Sequence, residues 1–200
     1  MEALPPHPKT NNLDCYLHVT RRCNQFCVFC STPPINRQVS FDTLKRRILV
    51  LKKAILKNGG SGQIVFSGGE PTSCTFLPKL IEFASLNGIS SKIITNGARL
   101  SDGAYLDELV RFGLKRVSVS LHSFKAETSD KLTGVEGNFD KAVLALTKLK
   151  NYPNIDVSIG FVINSLNFKQ MEGFARFVVS KFPHVRFISF NFVDVVKEAS

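Results

Sequence analysis

The stretch Arg22-Cys23-Asn24-Gln25-Phe26-Cys27-Val28-Phe29-Cys30 decides how this chain is read. It sets three cysteines at the spacing C-x3-C-x2-C directly after an extended apolar run, Leu13 to Val19. Thiols this close together cannot be spread through a hydrophobic core. They meet at one centre only if the backbone loops around it. A structural zinc site asks for four tetrahedral ligands, whereas thiolates on one short loop can seat an iron–sulfur cluster. Three thiolates on a four-iron cube leave one iron open, and an open iron is a place for chemistry.

Outward from that loop the composition is ordinary. The 200 residues suffice for one domain with a substantial core. At 44% hydrophobic and 21% charged residues, the chain reads as globular. No apolar run approaches the roughly 20 residues of a membrane-spanning helix. Met1 to Asn12 is Pro-rich and polar, without the apolar stretch of an export signal. The expected organisation is therefore a flexible segment over 1–12 and a core domain over 13–200. Five cysteines in a chain without an export signal point to metal or redox use rather than disulfides. A reducing cytoplasm is the expected location.

The net charge of +10 invites a nucleic-acid reading. Between Arg37 and Lys57, seven basic residues stand against one acid, Asp42. Helical spacing there buries Leu44, Ile48, Leu51 and Ile55 and leaves the bases on the other face, which is the pattern of a solvated helix. With no Trp and only three Tyr there is little to stack on bases, and the 17 Phe suit a core.

Taken in order, the chain alternates. Strands are expected over Leu13–Val19, Gln63–Phe66, Lys92–Thr95, Arg116–Leu121, Asp156–Ile163 and Arg186–Val193. Helices are expected over Phe41–Lys57, Leu77–Leu86, a segment capped by Ser101 and closed by Gly113, a short piece over Ala126–Leu132, Phe139–Lys150 and Phe168–Lys181. Ser31–Gln38, with Pro33-Pro34, reads as a loop. Such alternation implies an α/β fold with a parallel sheet and right-handed crossovers. Pattern alone leaves a partial (β/α)6 TIM-like barrel and an open doubly wound sheet both standing. The unusual residues cluster at strand carboxyl ends, where barrels build active sites, and this favours the barrel. Asp194–Ser200 is too short for a helix covering the sixth strand, so the expectation is a domain cut at its C-terminal end.

The three-cysteine loop after strand one, Gly68-Gly69-Glu70-Pro71 after strand two and the six-step βα order together resemble the radical S-adenosylmethionine (radical SAM) superfamily, from about Leu13 to Asp194. The resemblance implies that Cys23, Cys27 and Cys30 hold three irons of a [4Fe–4S] cluster, the fourth being chelated by S-adenosylmethionine. It implies further that the reduced cluster cleaves the sulfonium, releasing a 5′-deoxyadenosyl radical that abstracts hydrogen from a substrate. On this reading the Gly68 and Gly69 amides and the Glu70 carboxylate face the methionine moiety, and Pro71 fixes the turn. Phe29 matches a position that packs on adenine. Thr95, Ser120, Asn164 and Asn191 fall where relatives place cofactor or substrate contacts, although local backbone bonds explain buried Thr and Ser equally.

His122 can act as an acid or base at the barrel mouth, or it is a satisfied structural histidine. Cys15 reads as a small core residue. Cys74, after the glycine motif, is a candidate substrate-facing or catalytic thiol. Ser118-Val119-Ser120-Leu121-His122-Ser123 with Leu132-Thr133-Gly134 looks most like the branch holding peptide-modifying maturases and molybdopterin-precursor synthases. The implied partners are a peptide, nucleotide or small-molecule substrate and an electron donor such as flavodoxin or ferredoxin. The competing reading is a basic RNA- or nucleotide-binding module whose cysteine loop holds a structural metal, with His18 as fourth ligand if that metal is zinc.

Overall fold

The computed structural model describes residues 12–31, 34–36 and 38–193. The expectations placed on residues 1–11 and on 194–200 lie outside the described residues. Six strands, β1 (Leu13–Thr20), β2 (Gly62–Gly68), β3 (Ser90–Thr95), β4 (Leu114–Ser120), β5 (Asp156–Ile163) and β6 (Val185–Phe192), form one sheet in chain order. Every neighbouring pair is parallel, and the sheet stays open between β1 and β6. Between the strands run α1 (Phe41–Lys57), α2 (Leu77–Leu86), α3 (Gly103–Arg111), α4 (Ala126–Thr133), α5 (Asn138–Leu149) and α6 (Met171–Lys181). This is the partial (β/α)6 barrel. Among the described residues no helix is long and apolar enough to cross a membrane.

Alternation along the strands separates two environments. One parity carries Leu17, Ile64, Phe66, Ile93, Val117, Val119, Ile159 and Phe161, all nearly inaccessible and sharing one core with Leu44, Ile48, Leu80, Leu106, Leu146 and Phe174 of the helices. The buried stripe of α1 is Leu44, Ile48 and Ile55, with Leu51 half-buried, as its spacing predicts. Half of its six bases are engaged at the surface: Lys45 lies over Phe41 and Phe83, Arg46 bonds Thr43, and Lys52 bonds Asn87. Phenylalanine is less confined to the core than expected, since Phe26, Phe168, Phe187 and Phe192 are exposed.

The other parity is polar, and its lower end is laced together. Gln63 donates to Asp14 and accepts from Arg116, at 2.8 and 2.7 Å. Arg116 and Arg186 both pair with Asp156. The chain from Asp14 to Arg186 thus ties β1, β2, β4, β5 and β6 at the amino ends of the strands. Each exposed pair contributes little by itself, and a cavity of about 240 Å³ opens beside Arg116, Asp156 and Arg186.

Side-chain N-caps mark the starts of α1 and α3. Ser40 accepts from the Thr43 amide at the start of α1, and Gly134 ends α4 in the left-handed conformation at φ 68°. One cap differs from the expectation. Asp102, not Ser101, caps α3 by accepting from the Ala104 amide, while Ser101 ends a 3-10 turn (Ala98–Ser101) and donates to the Ala98 carbonyl. Either side chain can cap, and the intervening turn displaced the helix start by one residue. A second 3-10 turn, Phe168–Gln170, likewise delays α6.

Candidate active site

β1 leaves the sheet through an irregularity in register: His18 pairs Ser67, but Thr20 pairs Gly68. The slip re-aims the chain into the cysteine loop. Two loops then hold it from opposite sides. Gly69 donates its amide to the Thr20 carbonyl and Glu70 to the Arg22 carbonyl, at 2.9 and 2.8 Å. From across the barrel mouth, the amides of Phe26 and Val28 donate to the carbonyls of Thr133 and Leu132 at the end of α4.

This corrects the expected role of Gly68-Gly69. The glycines bring backbone to backbone: a Cβ on Gly68 would run into the Thr20 carbonyl, and one on Gly69 into that of Arg22. Gly68 also stands at φ 139°. The amides of Gly69 and Glu70 are occupied by the cysteine strand, so neither is free for a methionine moiety. Pro71 opens a short 3-10 turn, Pro71–Ser73, as expected of a turn-fixing residue.

Glu70 is 2% exposed, and both its oxygens are engaged. Oε1 accepts from the Thr72 amide and hydroxyl and from the Thr95 hydroxyl, at 2.9, 2.7 and 2.6 Å. Oε2 accepts from the Asn96 amide at 2.7 Å. Burial pushes the carboxyl pKa above its ordinary value, and the four hydrogen bonds, Thr95 foremost, pull against it. The carboxylate is a joint between the β2 and β3 loops, with one acceptor direction of Oε2 left over. Asn96 carries the joint onward, its Nδ2 donating to Asn24 Oδ1 at 2.7 Å and so reaching the cysteine loop itself. Asn24 and Asn96 were not singled out from sequence. A polar residue inside a cysteine loop is the signal for the first, and the Thr95-Asn96-Gly97 end of β3 is the signal for the second.

These elements enclose a cavity of about 330 Å³, within the range of small-molecule sites. Cys23, Cys27, Cys30, Phe29, Gly68, Gly69, Glu70, Thr95, Ser120 and His122 all line it, with Gln25, Ser67, Asn96 and Val162. A cleft of about 540 Å³ beside it, between Phe124-Lys125 and Phe168-Lys169, has no thiol or carboxylate. The Thr95 hydroxyl is spent on Glu70 and on the Gly97 amide, which makes it a support for the loop. Three expected site residues lie elsewhere. Asn164 turns its side chain onto the Leu166 amide and the Val162 carbonyl, an Asx turn. Asn191 is exposed on β6 and bonds Ser189. Cys74 is wholly buried in the core below the Pro71 turn, where burial raises its pKa, and it is no substrate-facing thiol. Cys15 is a core residue as expected.

His122 is 4% exposed and stands edge-on to Phe29, with ring centroids 4.8 Å apart. Its Nδ1 accepts from the Val162 amide at 3.1 Å, so the neutral ring must carry its proton on Nε2. Burial lowers its pKa to about 4, which removes it as a proton shuttle at neutral pH and corrects the acid–base alternative. It is a fixed N–H donor on the cavity wall. Asn167, a residue sequence did not mark, secures the corner by donating to the carbonyls of His122 and Val162 at 2.9 and 2.8 Å.

The sign of the linkage follows. A folded-state pKa below the unfolded value of 6.5 favours the neutral native ring, so this stability is present above pH 6.5 and lost as pH falls toward 4. Between pH 7 and pH 5 the loss is about 2 kcal/mol. In His122→Asn, whose amide oxygen can take the Val162 bond, the difference in unfolding free energy between the two pH values is expected to shrink by that amount in denaturant titrations. An unchanged difference would show that this imidazole does not set it.

The three thiols that line the cavity are candidate ligands for a metal or a cluster. Burial foremost, then Cys23 and Cys30, pushes Cys27 up to about 12, and burial also raises Cys23 against amide bonds from Gln25 and Asn24. A nearby cation would favour the thiolate forms of Cys23 and Cys27. Among the described residues no group of three or more His, Cys, Asp and Glu is arranged to hold a metal ion, and His18 is exposed on β1 outside the cavity lining. Gln25 accepts from the Cys27 thiol through Oε1 at 3.3 Å, and its Nε2 is buried with no partner.

With this geometry described, comparison with known proteins is direct. The family model described as Radical SAM superfamily matches residues 17–178. An Fe-coproporphyrin III synthase of Methanosarcina barkeri is 35% identical over 173 residues, 85% of this chain and 42% of that protein. A probable GTP 3′,8-cyclase of Saccharolobus islandicus is 30% identical over 162 residues, 80% of this chain and 51% of that protein. The chain thus spans about half the length, or less, of these curated relatives. Among solved structures, Streptococcus suis SuiB bound to S-adenosylmethionine superposes with a TM-score of 0.76 at 19% identity, over 94% of this chain and 42% of that one. Native anSMEcpe with bound AdoMet gives 0.73 at 20%, over 91% and 52%. At such identities the structures speak for the fold.

Proposed function

This chain belongs to the radical SAM superfamily, and we propose that its three-cysteine loop seats a [4Fe–4S] cluster whose open iron takes S-adenosylmethionine, in an enzyme that removes hydrogen from an organic substrate. One observation carries the reading: the three cysteines and the Glu70 loop, far apart in sequence, line a single cavity at the carboxyl ends of the strands. That is the face where βα barrels place their chemistry. Bound there, such a pair would supply one-electron reduction of the sulfonium and the power to abstract a hydrogen atom.

The remaining work falls to side chains. Cys23, Cys27 and Cys30 are the ligands. Glu70 holds the β2 and β3 loops against them and offers the spare direction of Oε2 to an ammonium group. Phe29, braced edge-on by His122, presents a ring for an adenine. Ser120 and the Nε2–H of His122 offer hydrogen bonds to ribose or substrate oxygens. Residues 13–193 serve as one core domain. The substrate class we favour is a peptide or a nucleotide-like small molecule, because relatives and structural neighbours include a probable GTP cyclase and a SuiB structure bound to its precursor peptide. A low-potential carrier such as flavodoxin or ferredoxin would supply the electron, in the cytoplasm.

The test is anaerobic reconstitution with iron and sulfide. About four of each per chain, a brown colour and dithionite-dependent conversion of S-adenosylmethionine to methionine and 5′-deoxyadenosine are expected. A colourless zinc protein whose RNA affinity falls steeply with salt would instead establish the binding-module reading.

A further inference from the structure

We propose that Gln25 is a positioning residue for the cluster's electronics. When the loop is loaded, its side-chain amide donates Nε2–H to Cys27 Sγ and raises the cluster's reduction potential. The inference rests on the reading that Cys27 is a metal ligand. Gln25 is 5% exposed and lines the cavity with all three cysteines. Cys27 donates its S–H to Gln25 Oε1 at 3.3 Å, and Gln25 Nε2 is left buried without a partner. A buried amide N–H without an acceptor is costly, and the unpaired end belongs to the side chain that already touches the sulfur.

Metal binding resolves this. A coordinating cysteine is a thiolate with no proton to donate, so the S–H···O bond cannot survive loading, and Oε1 would then face an electron-rich sulfur. Half a turn of the amide exchanges oxygen and nitrogen with almost no change in shape. The orphaned N–H becomes an N–H···S bond, and the repulsive contact disappears. Hydrogen bonds to cluster sulfurs withdraw charge and favour the reduced state, which is one of the protein's controls on potential. The neighbouring amide, Asn24, turns its Oδ1 to Asn96, whose Nδ2 donates to it at 2.7 Å.

The experiment compares wild-type protein, Gln25→Leu and Cys27→Ala after anaerobic reconstitution. Iron and sulfide content come first, because they judge the cluster assignment alone. Wild-type protein that takes up none, or Cys27→Ala that takes up as much as wild type, overturns that assignment and this inference with it. In loaded Gln25→Leu, mediated titration followed by EPR is expected to show the reduced-to-oxidised ratio about tenfold lower at a fixed potential, a shift of about 59 mV for one electron. Full loading with an unchanged midpoint overturns the inference and leaves the cluster standing, since a glutamine that merely fills space would not move a potential. A second readout does not depend on the variant folding. In wild-type protein carrying glutamine labelled with 15N at the side chain, pulsed EPR of the reduced cluster is expected to show a 15N coupling, and its absence overturns the inference equally.

Discussion

Cys27→Ala is expected to lose the cluster and, with it, reductive cleavage of S-adenosylmethionine. Cys27 sits between the other two thiols in the loop, is more than half-buried, and is the sulfur whose pKa their presence helps push up to about 12. Removing one of three ligands exceeds a perturbation around the ligands, which itself costs roughly 10–100-fold in metal affinity or activity. Iron should fall from about four per chain toward background, with the visible absorption and 5′-deoxyadenosine formation falling together. The internal control is Cys74→Ala. That thiol is as buried as any core residue and touches no part of the cavity lining, so iron content should hold while stability drops modestly. If Cys74→Ala lost the cluster and Cys27→Ala kept it, the assignment of the loop would be wrong.

Glu70→Ala should produce the largest loss of stability of any single polar substitution near the cavity. The carboxylate receives two backbone amides, from Thr72 and Asn96, and two hydroxyls. The hydroxyls can turn elsewhere, but the amides cannot. Two buried amides left without acceptors cost about 1–3 kcal/mol each, so a total near 3–5 kcal/mol is expected. Against an overall stability of about 5–15 kcal/mol, that is a large share. Glu70→Gln keeps an acceptor at the Oε1 position and turns an N–H toward the Asn96 amide, and should cost about 1–3 kcal/mol. Urea unfolding of the metal-free proteins orders the three. Equal midpoints would mean that the carboxylate is not the joint between the loops. Because Asn96 also holds Asn24, Glu70→Ala should in addition slow cluster assembly on the cysteine loop.

The bases of α1 show how charge misleads when counted along a chain. Seven bases in one stretch suggest a polyanion partner, yet three of them are engaged with Phe41, Phe83, Thr43 and Asn87. Net charge describes association with partners in general and does not locate a binding face.

What sequence alone determined was everything encoded within a turn or a strand. The strands, the helices and the parallel order follow from periods of two and 3.6 and from punctuation by Gly, Asn and Pro, and β5 and α1 match residue for residue. The cysteine loop was legible because its ligands lie within eight positions of one another. Where a side chain's partner lies dozens of residues away, sequence placed the residue but not its use. Gly68 and Gly69 read as a ligand cradle and turned out to meet Thr20 and Arg22. His122 owes its proton position to Val162, 40 residues on. Asn164 and Asn191 sit at strand ends yet turn to their own neighbours, and Cys74 follows the glycine motif into the core rather than the mouth. For the glycines, His122 and Cys74 the physical reason is shared. Periodicity fixes which face a residue occupies, whereas a hydrogen-bond partner depends on register and loop path between strands, and only the assembled sheet brings those together.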